Sequence, residues 1–317
     1  MSAPVHVGID VSKLRLDVCI LPSRQLFSVD NTVEGHRQLV EKLKPVNPAR
    51  VVVESTGGYE TPVAQALVVA GLPTARVHPG RVRNFARSQG QLAKTDALDA
   101  EILAKYSAAS DSLPLLDVTS PKAHELRDLV SRRRQLVETD VAEKNRIDKP
   151  LASATRKSIE RVRKLLGREI AVIDKAIDTL IDSDESWKQT DQLLQSVLGV
   201  GPQTSHILIA ELPELGQLNR QKMAALVGVA PYNCDSGQHQ GQRHIRGGRA
   251  SVRSVLYMAA LTAQRCNPVM KAFSERMKAQ NKPGKVILTA IMRKLLTTLN
   301  AIVKTQTPWK NQNLGIA

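Results

Sequence analysis

Residues 5–21 read VHVGIDVSKLRLDVCIL, and this stretch decides the fold of the first part of the chain. Two apolar, β-branched runs at residues 5–12 and 16–21 are separated by three residues, which is typical of a β-hairpin. A third run at residues 25–29 predicts a strand that continues the hairpin. Asp10 stands inside the first run, where a carboxylate is costly unless it is paired or binds a metal. Asp10 is therefore a candidate functional residue.

The elements after the hairpin alternate between helix and strand. Asn31 or Thr32 can cap a helix that runs to Leu43, and residues 50–55 (RVVVES) predict a buried central strand. The remaining elements are a helix from about residue 60 to 71, a strand at 74–77 and a helix from a Thr95 cap to about residue 108. Three strands, helix, strand, helix, strand, helix is the order of an RNase H-like fold. We therefore predict an α/β domain of this class over residues 1–110.

Strand signals stop near residue 120, and apolar residues then repeat at helical spacing. The repeat is carried by Ile159, Val162, Leu166, Ile173, Ile177 and Leu180. Pro150 should turn or kink the chain between this helix and the one before it. We predict a coiled-coil-like helical arm over residues 111–185. An ordinary pair of bundle helices explains the same spacing equally well.

Residues 186–317 predict a mainly α-helical C-terminal domain. Within it, LLQSVLGVGPQTSHILIAEL (193–212) contains two apolar helical runs joined by Gly-Val-Gly-Pro, the pattern of a helix-hairpin-helix. In that motif the glycines let backbone N–H groups at a helix start face a phosphate. A packing hairpin without nucleic acid is the alternative, and the net acidic charge of the surrounding segment favours it.

The chain carries a net charge of +15, which is concentrated in two blocks. Residues 122–168 carry +7 and residues 238–294 carry +11, whereas residues 169–237 between them carry −6. Two basic blocks predict at least two separate surfaces for nucleic acid, although a solvated basic face also explains the first block. Aromatic residues make up only 3% of the chain, which argues against recognition by stacking of single-stranded bases. We expect contacts to phosphates and to helix shape instead.

The cysteines and the apolar stretches indicate a cellular compartment. Cys19, Cys234 and Cys266 lie far apart without a CxxC spacing, which argues against a disulfide framework or a zinc knuckle. The N-terminal residues lack a signal-peptide pattern, and the most apolar stretch, at 63–72, is about half of a membrane span. We expect a cytoplasmic protein with no membrane partner.

Four acids occupy positions that an RNase H-like fold would bring together. Asp10 lies in the first strand, Glu54 ends the strand VVVE, and Asp96 and Asp99 are three residues apart in a helix, on one face. Each acid alone could be a strand-end or helix-start residue at a solvated rim. Together they predict a site for two Mg²⁺ ions, with Mn²⁺ as a substitute, because metal would relieve the repulsion between them.

The segment between Glu60 and Asp96 contains no acid. Its basic residues include Arg76, Arg81, Arg83, Arg87 and Lys94. A basic strip that leads into a carboxylate metal site suits a phosphodiester backbone. We predict that these five residues bind nucleic acid.

At these motifs the chain resembles the DEDD transposases of bacterial insertion sequences, relatives of the pilin-gene inverting recombinases. The first part of the resemblance rests on GIDVSK (8–13), VVVESTGGYE (51–60) and KTDALDAE (94–101). The second part rests on LGVGPQTS (198–205) and on LVGVAPYNCDSGQHQGQRHIRGGRASVRSVLYMAAL (226–261), which is similar to the family's C-terminal transposase domain. The resemblance covers nearly the whole chain.

This resemblance implies a RuvC-like N-terminal domain and places the family's four metal-binding acids on Asp10, Glu54, Asp96 and Asp99. It also implies a nucleophilic serine at Ser236, which would attack DNA and hold the cut strand as a phosphoserine. The expected partners are double-stranded donor and target DNA, a structured guide (bridge) RNA that pairs with both, and further copies of the chain in a dimer or tetramer. In such an oligomer one chain's carboxylates could act with another chain's serine.

The residues around Ser236 give a weaker signal of their own. Residues 232–248 read as an exposed loop, so on local grounds Ser236 is a turn serine. Arg243, Arg246 and Arg249 follow it and could hold the attacked phosphate. The sequence offers no obvious Ser-His-Asp partner, which leaves metal as the natural activator of a serine.

These observations predict a DNA transposase or site-specific recombinase with two domains and a helical arm. One alternative is a metal-dependent junction nuclease that uses water and forms no covalent intermediate. Another is a non-catalytic nucleic-acid-binding protein that keeps the fold as a scaffold.

Overall fold

A computed structural model describes residues 3–91, 96–111, 113–118, 120–149, 151–236 and 239–310, with the backbone alone at 96, 97, 239 and 240. The chain divides into two compact units, Met1–Ser120 and Pro121–Ala317. A mixed sheet with helices in the first unit and a mostly helical second unit confirm the α/β and helical classes predicted from the sequence. The residues predicted as an arm, 111–185, fall on both sides of the boundary between the units.

Among its described residues, unit 1 contains a five-stranded sheet in the order β3-β2-β1-β4-β5 and four helices. The elements are β1 (His6–Val11), β2 (Arg15–Leu21), β3 (Gln25–Asp30), α1 (Val33–Leu43), β4 (Arg50–Glu54), α2 (Glu60–Val69), β5 (Thr74–Val77), α3 (Pro79–Ser88) and α4 (Asp96–Ala109). The first three strands are antiparallel, whereas β4 and β5 run parallel to β1. The central strands are apolar because both faces of the sheet are covered, and Val7, Ile9 and Val52 are fully buried.

The sequence predicted these elements with one omission. Thr32, one of the two predicted caps, accepts a hydrogen bond from the Gly35 N–H at 3.2 Å and begins α1. Helix α3 was not predicted, because only Val82 and Ala86 are buried along a segment rich in arginine. The predicted Thr95 cap lies outside the described residues.

Unit 2 contains eight helices among its described residues and a group of short strands. The helices are α5 (Pro121–Ile147), α6 (Ser153–Asp182), α7 (Glu185–Gln195), α8 (Pro202–Glu211), α9 (Arg220–Val227), α10 (Ala250–Cys266), α11 (Pro268–Ala279) and α12 (Gly284–Thr305). The strands are β6 (Pro231–Tyr232), β7 (Asp235–Ser236), β8 (His239–Gln240) and β9 (His244–Ile245). Apolar residues of α8, α9, α10 and α12 form the main core.

Helices α5 and α6 form the antiparallel pair predicted from the apolar repeat. Arg133 contacts Asp174 at 2.5 Å, and Arg163 contacts Asp140 at 2.8 Å, so residues early in one helix meet residues late in the other. The predicted turn at Pro150 lies outside the described residues. Leu126 and Ile177, near one end of the pair, are buried in a cluster that includes Ala210 of α8. This end of the pair is therefore part of the helical unit.

Helix α12 is long and apolar enough to cross a membrane by length and composition alone. Its apolar face is nevertheless buried inside unit 2, since Ile291, Leu295 and Leu299 are completely inaccessible to solvent. These contacts are those of a core helix of a globular unit.

Candidate active site

The predicted acids Asp10 and Glu54 lie at the ends of neighbouring strands. Strands β1 and β4 are parallel, and their register pairs Ile9 with Val53, so the next residue on each strand is one of the two acids. Parallel neighbours end at the same edge of a sheet, which places both carboxylates there. Both residues are partly buried.

Helix α4 packs on β1 and runs antiparallel to it, so the N-terminal end of α4 lies at this edge. At the start of β1, the His6 ring nitrogen Nδ1 lies 3.0 Å from the Ser107 hydroxyl, and two residues later Gly8 packs on Leu103 and Ala104. Two strand residues advance about 6.6 Å and four helix residues about 6 Å. The next step along both elements therefore reaches Asp10 on the strand and Asp99 on the helix.

Gly8 allows this close approach between helix and strand. A Cβ atom at Gly8 would overlap the Ala100 carbonyl oxygen and the Ala104 amide nitrogen. The helix could then no longer lie so close to β1. The absence of a side chain at Gly8 thus allows α4 to pack close to β1, which sets the distance of Asp99 from the sheet.

The carboxylate edge is defined here as the ends of β1 and β4 together with the first turn of α4. It contains Asp10, Glu54 and Asp99, and α4 begins at Asp96. The structure describes no side chain for Asp96, and Lys94 lies outside the described residues. The backbone thus brings three of the predicted acids to one edge and starts the helix at the fourth.

A fifth acid at this edge was not predicted. Asp17 of β2 is the cross-strand partner of Asp10, so the two side chains share one face of the sheet. Asp17 accepts hydrogen bonds from the Arg15 Nε at 3.1 Å and the Ser28 hydroxyl at 2.8 Å. An acid inside the apolar run LDVCIL was the signal in the sequence, and the hairpin register could have found it.

Glu60 holds the loop that follows Glu54. It is 2% exposed, and its carboxylate accepts hydrogen bonds from the Thr56 N–H at 3.1 Å and the Gly58 N–H at 2.9 Å. Burial alone would raise the pKa of Glu60, but these backbone hydrogen bonds and Arg76 outweigh it and hold the pKa below its usual value. The sequence assigned Glu60 to the first turn of its helix, and the structure adds this bracing role.

Asn31 connects the loops that follow the two acid-bearing strands. Its side-chain amide donates to the Ser12 carbonyl oxygen at 2.9 Å and to the Tyr59 carbonyl oxygen at 3.2 Å. The His36 ring nitrogen Nε2 lies 2.7 Å from the Asn31 side-chain oxygen and fixes its orientation. Hydrogen bonds from the Asn31 side chain therefore hold together the loops that follow β1 and β4.

The donor atoms at this edge fit a hard divalent cation. Carboxylate oxygens are the ligands that Mg²⁺ and Mn²⁺ prefer. Among the described side chains, which leave out Asp96, no group of three His, Cys, Asp or Glu residues is close enough to hold a metal ion. The fit therefore rests on the chemistry of the donors and on the edge that their backbone shares.

The predicted basic strip is partly on α3. Arg81, Arg83 and Arg87 are exposed on this helix, which packs on α4 through an edge-to-face contact of Phe85 with Tyr106 at 5.4 Å between ring centroids. Arg76 is oriented toward Glu60, with 3.5 Å between its Nη1 and the nearer carboxylate oxygen. The three α3 arginines and Arg76 are therefore all accessible to solvent, and only Arg76 has an acidic neighbour at this distance among the described residues.

Ser236 lies on an exposed hairpin, which we term the serine hairpin (residues 231–245). Strand β6 pairs with β9 at its base, and β7 pairs with β8 further out, where Ser236 is opposite His239. The sequence predicted an exposed loop here, and the structure adds the short strands. Ser236 is exposed, and Gly237 after it lies outside the described residues.

A tight contact between two glycine turns anchors the base of the serine hairpin. Gly228 has a φ of +79°, and a Cβ atom there would overlap the Gly247 carbonyl oxygen. Arg253 of α10 donates to that carbonyl oxygen and, at 3.3 Å, to the Val227 carbonyl oxygen. The segments LVGVA and RGGR are therefore locked together on either side of the hairpin.

The three arginines predicted to hold a phosphate differ in their surroundings. Arg249 donates to both carboxylate oxygens of Glu214, at 2.6 and 2.5 Å, so its guanidinium group is engaged inside the protein. Arg243 and Arg246 are exposed, and Arg246 lies 5.5 Å from the centroid of the Tyr232 ring. Ser251, in the first turn of α10, donates a hydrogen bond to Glu211 of α8.

The glycine turn between α7 and α8 packs closely on α10. Gly199 has a φ of +102°, and a Cβ atom there would lie 2.6 Å from the Ala263 Cβ. Gly201 precedes the first turn of α8, and the turn borders an open groove of about 380 Å³ that Met258 and Thr262 also line. Two helices joined by a glycine turn are therefore present, and their identity as a nucleic-acid-binding helix-hairpin-helix stays a prediction.

Comparisons with known proteins match both units. Residues 7–155 match a transposase family model of the DEDD IS110 type, and residues 191–275 match the model described as the transposase family IS116/IS110/IS902. The pilin gene-inverting protein of Moraxella bovis is 26% identical over 314 residues, which cover 96% of this chain and 97% of that protein. The pilin gene-inverting protein of Moraxella lacunata has the same identity and coverage.

Acids at a sheet edge, a basic helical unit and these matches define an enzyme that acts on DNA. The chain belongs to the IS110 family of transposases and recombinases.

Proposed function

We propose that this protein is the recombinase of an insertion sequence, and that it cuts and rejoins DNA strands with a carboxylate site and a serine nucleophile. The observation that carries the proposal is the shared edge formed by the ends of β1 and β4 and the start of α4. Family membership supplies the DNA substrate. An RNase H-like fold for unit 1 accords with its antiparallel strands followed by parallel ones.

Asp10, Glu54, Asp96 and Asp99 would hold divalent metal at this edge. The match to a DEDD-type family suggests dependence on a divalent metal, and we propose two Mg²⁺ ions, which Mn²⁺ could replace. Bound metal would supply charge neutralisation at the reacting phosphate and lower the pKa of a coordinated hydroxyl. The residues Gly8, Glu60 and Asn31 keep the carboxylates in place for that purpose.

Ser236 would attack the scissile phosphate. A bond forms between the serine oxygen and phosphorus, the bond from phosphorus to one sugar oxygen breaks, and the hydroxyl proton ends on the departing sugar oxygen. A second sugar hydroxyl reverses these steps on a new strand, so no further energy source is required. The exposure of Ser236 suits a nucleophile whose substrate is a DNA duplex.

Nucleic acid would be held by Arg76, Arg81, Arg83, Arg87 and Lys94 in unit 1 and by Arg243 and Arg246 in unit 2. Arg249 is bound by Glu214 instead and would orient the turn that follows the serine hairpin. The α7–α8 turn is proposed as a helix-hairpin-helix contact to the phosphate backbone. A structured guide RNA would select the donor and target DNA, and a dimer or tetramer in the bacterial cytoplasm would join the two duplexes. The resemblance to DEDD transposases supports both of these proposals.

A covalent-adduct assay tests the serine. Wild-type protein, Ser236→Ala and the matched control Ser254→Ala are incubated with DNA that carries the element's ends, together with RNA co-purified from the host. Adducts and joined products should persist in the control and vanish in Ser236→Ala. Adducts that survive in Ser236→Ala would contradict the phosphoserine. Cleavage that survives without any adduct would favour the junction nuclease, and unchanged excision in Asp10→Asn would favour a scaffold without catalysis.

A further inference from the structure

Helices α11 and α12 carry much of the second basic block and almost no negative charge. Glu275 is the one acid in residues 250–310 of the sequence. Its carboxylate is already paired, since Lys278 Nζ lies 3.0 Å away. The other cations on these helices therefore have no counterion in their own segment.

Two of these cations are held over the same aromatic ring. The Arg276 guanidinium carbon lies 5.3 Å from the centroid of the Phe273 ring, and Lys294 Nζ lies 4.7 Å from it. The two cations are therefore at most 10.0 Å apart. Across the described part of the chain, no carboxylate oxygen comes within 4.0 Å of either.

This arrangement has an electrostatic cost. Partial burial, and then the positive charge of Arg276, lower the pKa of Lys294 below its usual value. Attraction to the face of the Phe273 ring offsets part of this cost. Two like charges at this separation are only partly screened at physiological ionic strength. An anion that contacts both cations would relieve this repulsion.

We infer that Phe273, Arg276 and Lys294 form a binding site for backbone phosphate of a nucleic acid. Arg276 supplies a planar donor pair that matches phosphate oxygens, and Lys294 supplies a compact charge. The Phe273 ring limits the movement of both side chains. This site lies outside the arginines already assigned to nucleic acid, and it rests on the proposed function because it requires a nucleic-acid substrate.

The test is a salt-dependent binding measurement on the full-length protein. The charge-removal variant is Arg276→Gln/Lys294→Gln. The matched control is Lys278→Gln/Lys304→Gln, which removes the same net charge from the same two helices. Lys278 is already paired with Glu275. Each protein is titrated with a mixed-sequence DNA duplex and with an RNA hairpin at several salt concentrations, and circular dichroism checks that each variant is folded.

The site predicts that the double variant weakens binding about tenfold near physiological salt and lowers the slope of log affinity against log salt by about 2. The control should keep a slope close to the wild-type value. Loss with the DNA duplex assigns the site to DNA, loss with the hairpin assigns it to RNA, and loss with both indicates shared backbone recognition.

A double variant that behaves like its control would overturn the site and would leave the proposed function intact. Reduced thermal stability with unchanged binding would show that the two cations only stabilise the packing of α11 on α12. Failure of the wild-type protein to bind either nucleic acid would contradict the proposed function itself.

Discussion

The carboxylate edge of unit 1 and the serine hairpin of unit 2 are built in opposite ways. The edge is formed by two buried parallel strands and a helix that lies in direct contact with Gly8. The hairpin is formed by strands of two residues whose serine is exposed. The difference suits the proposed roles, because carboxylates that share a cation must be held at fixed separations, whereas a nucleophile must reach a phosphate inside a large substrate.

In both regions, nevertheless, a hydrogen-bonded carboxylate stabilises a turn. Glu60 holds the loop after Glu54 through backbone N–H groups. Glu214 holds Arg249 beside the RGGR turn at the base of the hairpin. Both carboxyl groups have a lowered pKa, since favourable hydrogen bonds outweigh the effect of burial in each. A hydrogen-bonded carboxylate therefore orders a turn in both regions, fully buried at Glu60 and partly exposed at Glu214.

The largest expected effect is the loss of recombination when an acid of the edge is neutralised. If Asp10 and Asp99 hold metal as proposed, Asp10→Asn and Asp99→Asn should each lower the strand-transfer rate by about a hundredfold or more, because the charge on a ligand is removed. Rates are measured by excision from a plasmid. Asp30→Asn, at the exposed end of β3, serves as the control and should retain wild-type activity. Equal activity in Asp10→Asn and Asp30→Asn would contradict a catalytic role for Asp10.

The next effect is on the packing that fixes the edge. Gly8→Ala should lower the free energy of unfolding of unit 1 by about 2 kcal/mol, because the new methyl group overlaps the backbone of α4. Gly167→Ala in α6 meets open space and should raise the stability of its helix by about 0.5–1 kcal/mol. Chemical denaturation measures both. A Gly8→Ala protein with wild-type stability and full activity would show that close packing of α4 on β1 is not required to position the acids.

A smaller effect concerns the two bracing carboxylates and pH. Because the folded-state pKa of Glu60 and Glu214 is lowered, each stabilises the protein above its unfolded-state pKa, and this stabilisation is lost as the pH falls through the folded-state pKa. Glu60→Gln should cost about 2 kcal/mol near neutral pH and Glu214→Gln about 1, since Glu214 is more exposed. Both variants should also show a flatter acid limb in thermal denaturation. An unchanged acid limb would contradict the bracing role.

The smallest effect is expected at Asp17. It shares a face with Asp10 but is already paired with Arg15 and Ser28. Asp17→Asn should therefore change strand transfer by less than about tenfold, well short of the Asp10→Asn loss. Rates from the same plasmid assay decide the point. A loss as large as that of Asp10→Asn would make Asp17 a fifth functional acid and would extend the carboxylate edge to β2.

The regular parts of the fold could be predicted from the sequence because local patterns specify them. Alternating apolar residues indicate the hairpin at residues 5–21, and the order of elements predicts the strand of Glu54 next to the strand of Asp10, where β4 lies. Helix α3 was missed because its arginines mask a weak apolar face. Its boundaries depend on packing against α4, which the sequence of the segment does not reveal.

The bracing contacts could not be predicted because they join residues that are distant in sequence. Asn31 reaches Tyr59, and Arg249 reaches Glu214, only after the chain has folded. Local composition suggested a phosphate contact for Arg249, whereas its bidentate pair with Glu214 follows from the approach of two turns. The local sequence around Ser236 indicates only a turn, so its proposed role rests on the family resemblance.

Metal binding to the full-length protein tests the central claim most directly. Electron paramagnetic resonance of free Mn²⁺ is used to titrate the wild-type protein, Asp10→Asn and the control Asp30→Asn, without any DNA or turnover. We expect the wild type and Asp30→Asn to bind Mn²⁺ with the same affinity, and Asp10→Asn to bind at least about tenfold more weakly. Equal affinity in all three proteins would contradict a metal site at the carboxylate edge.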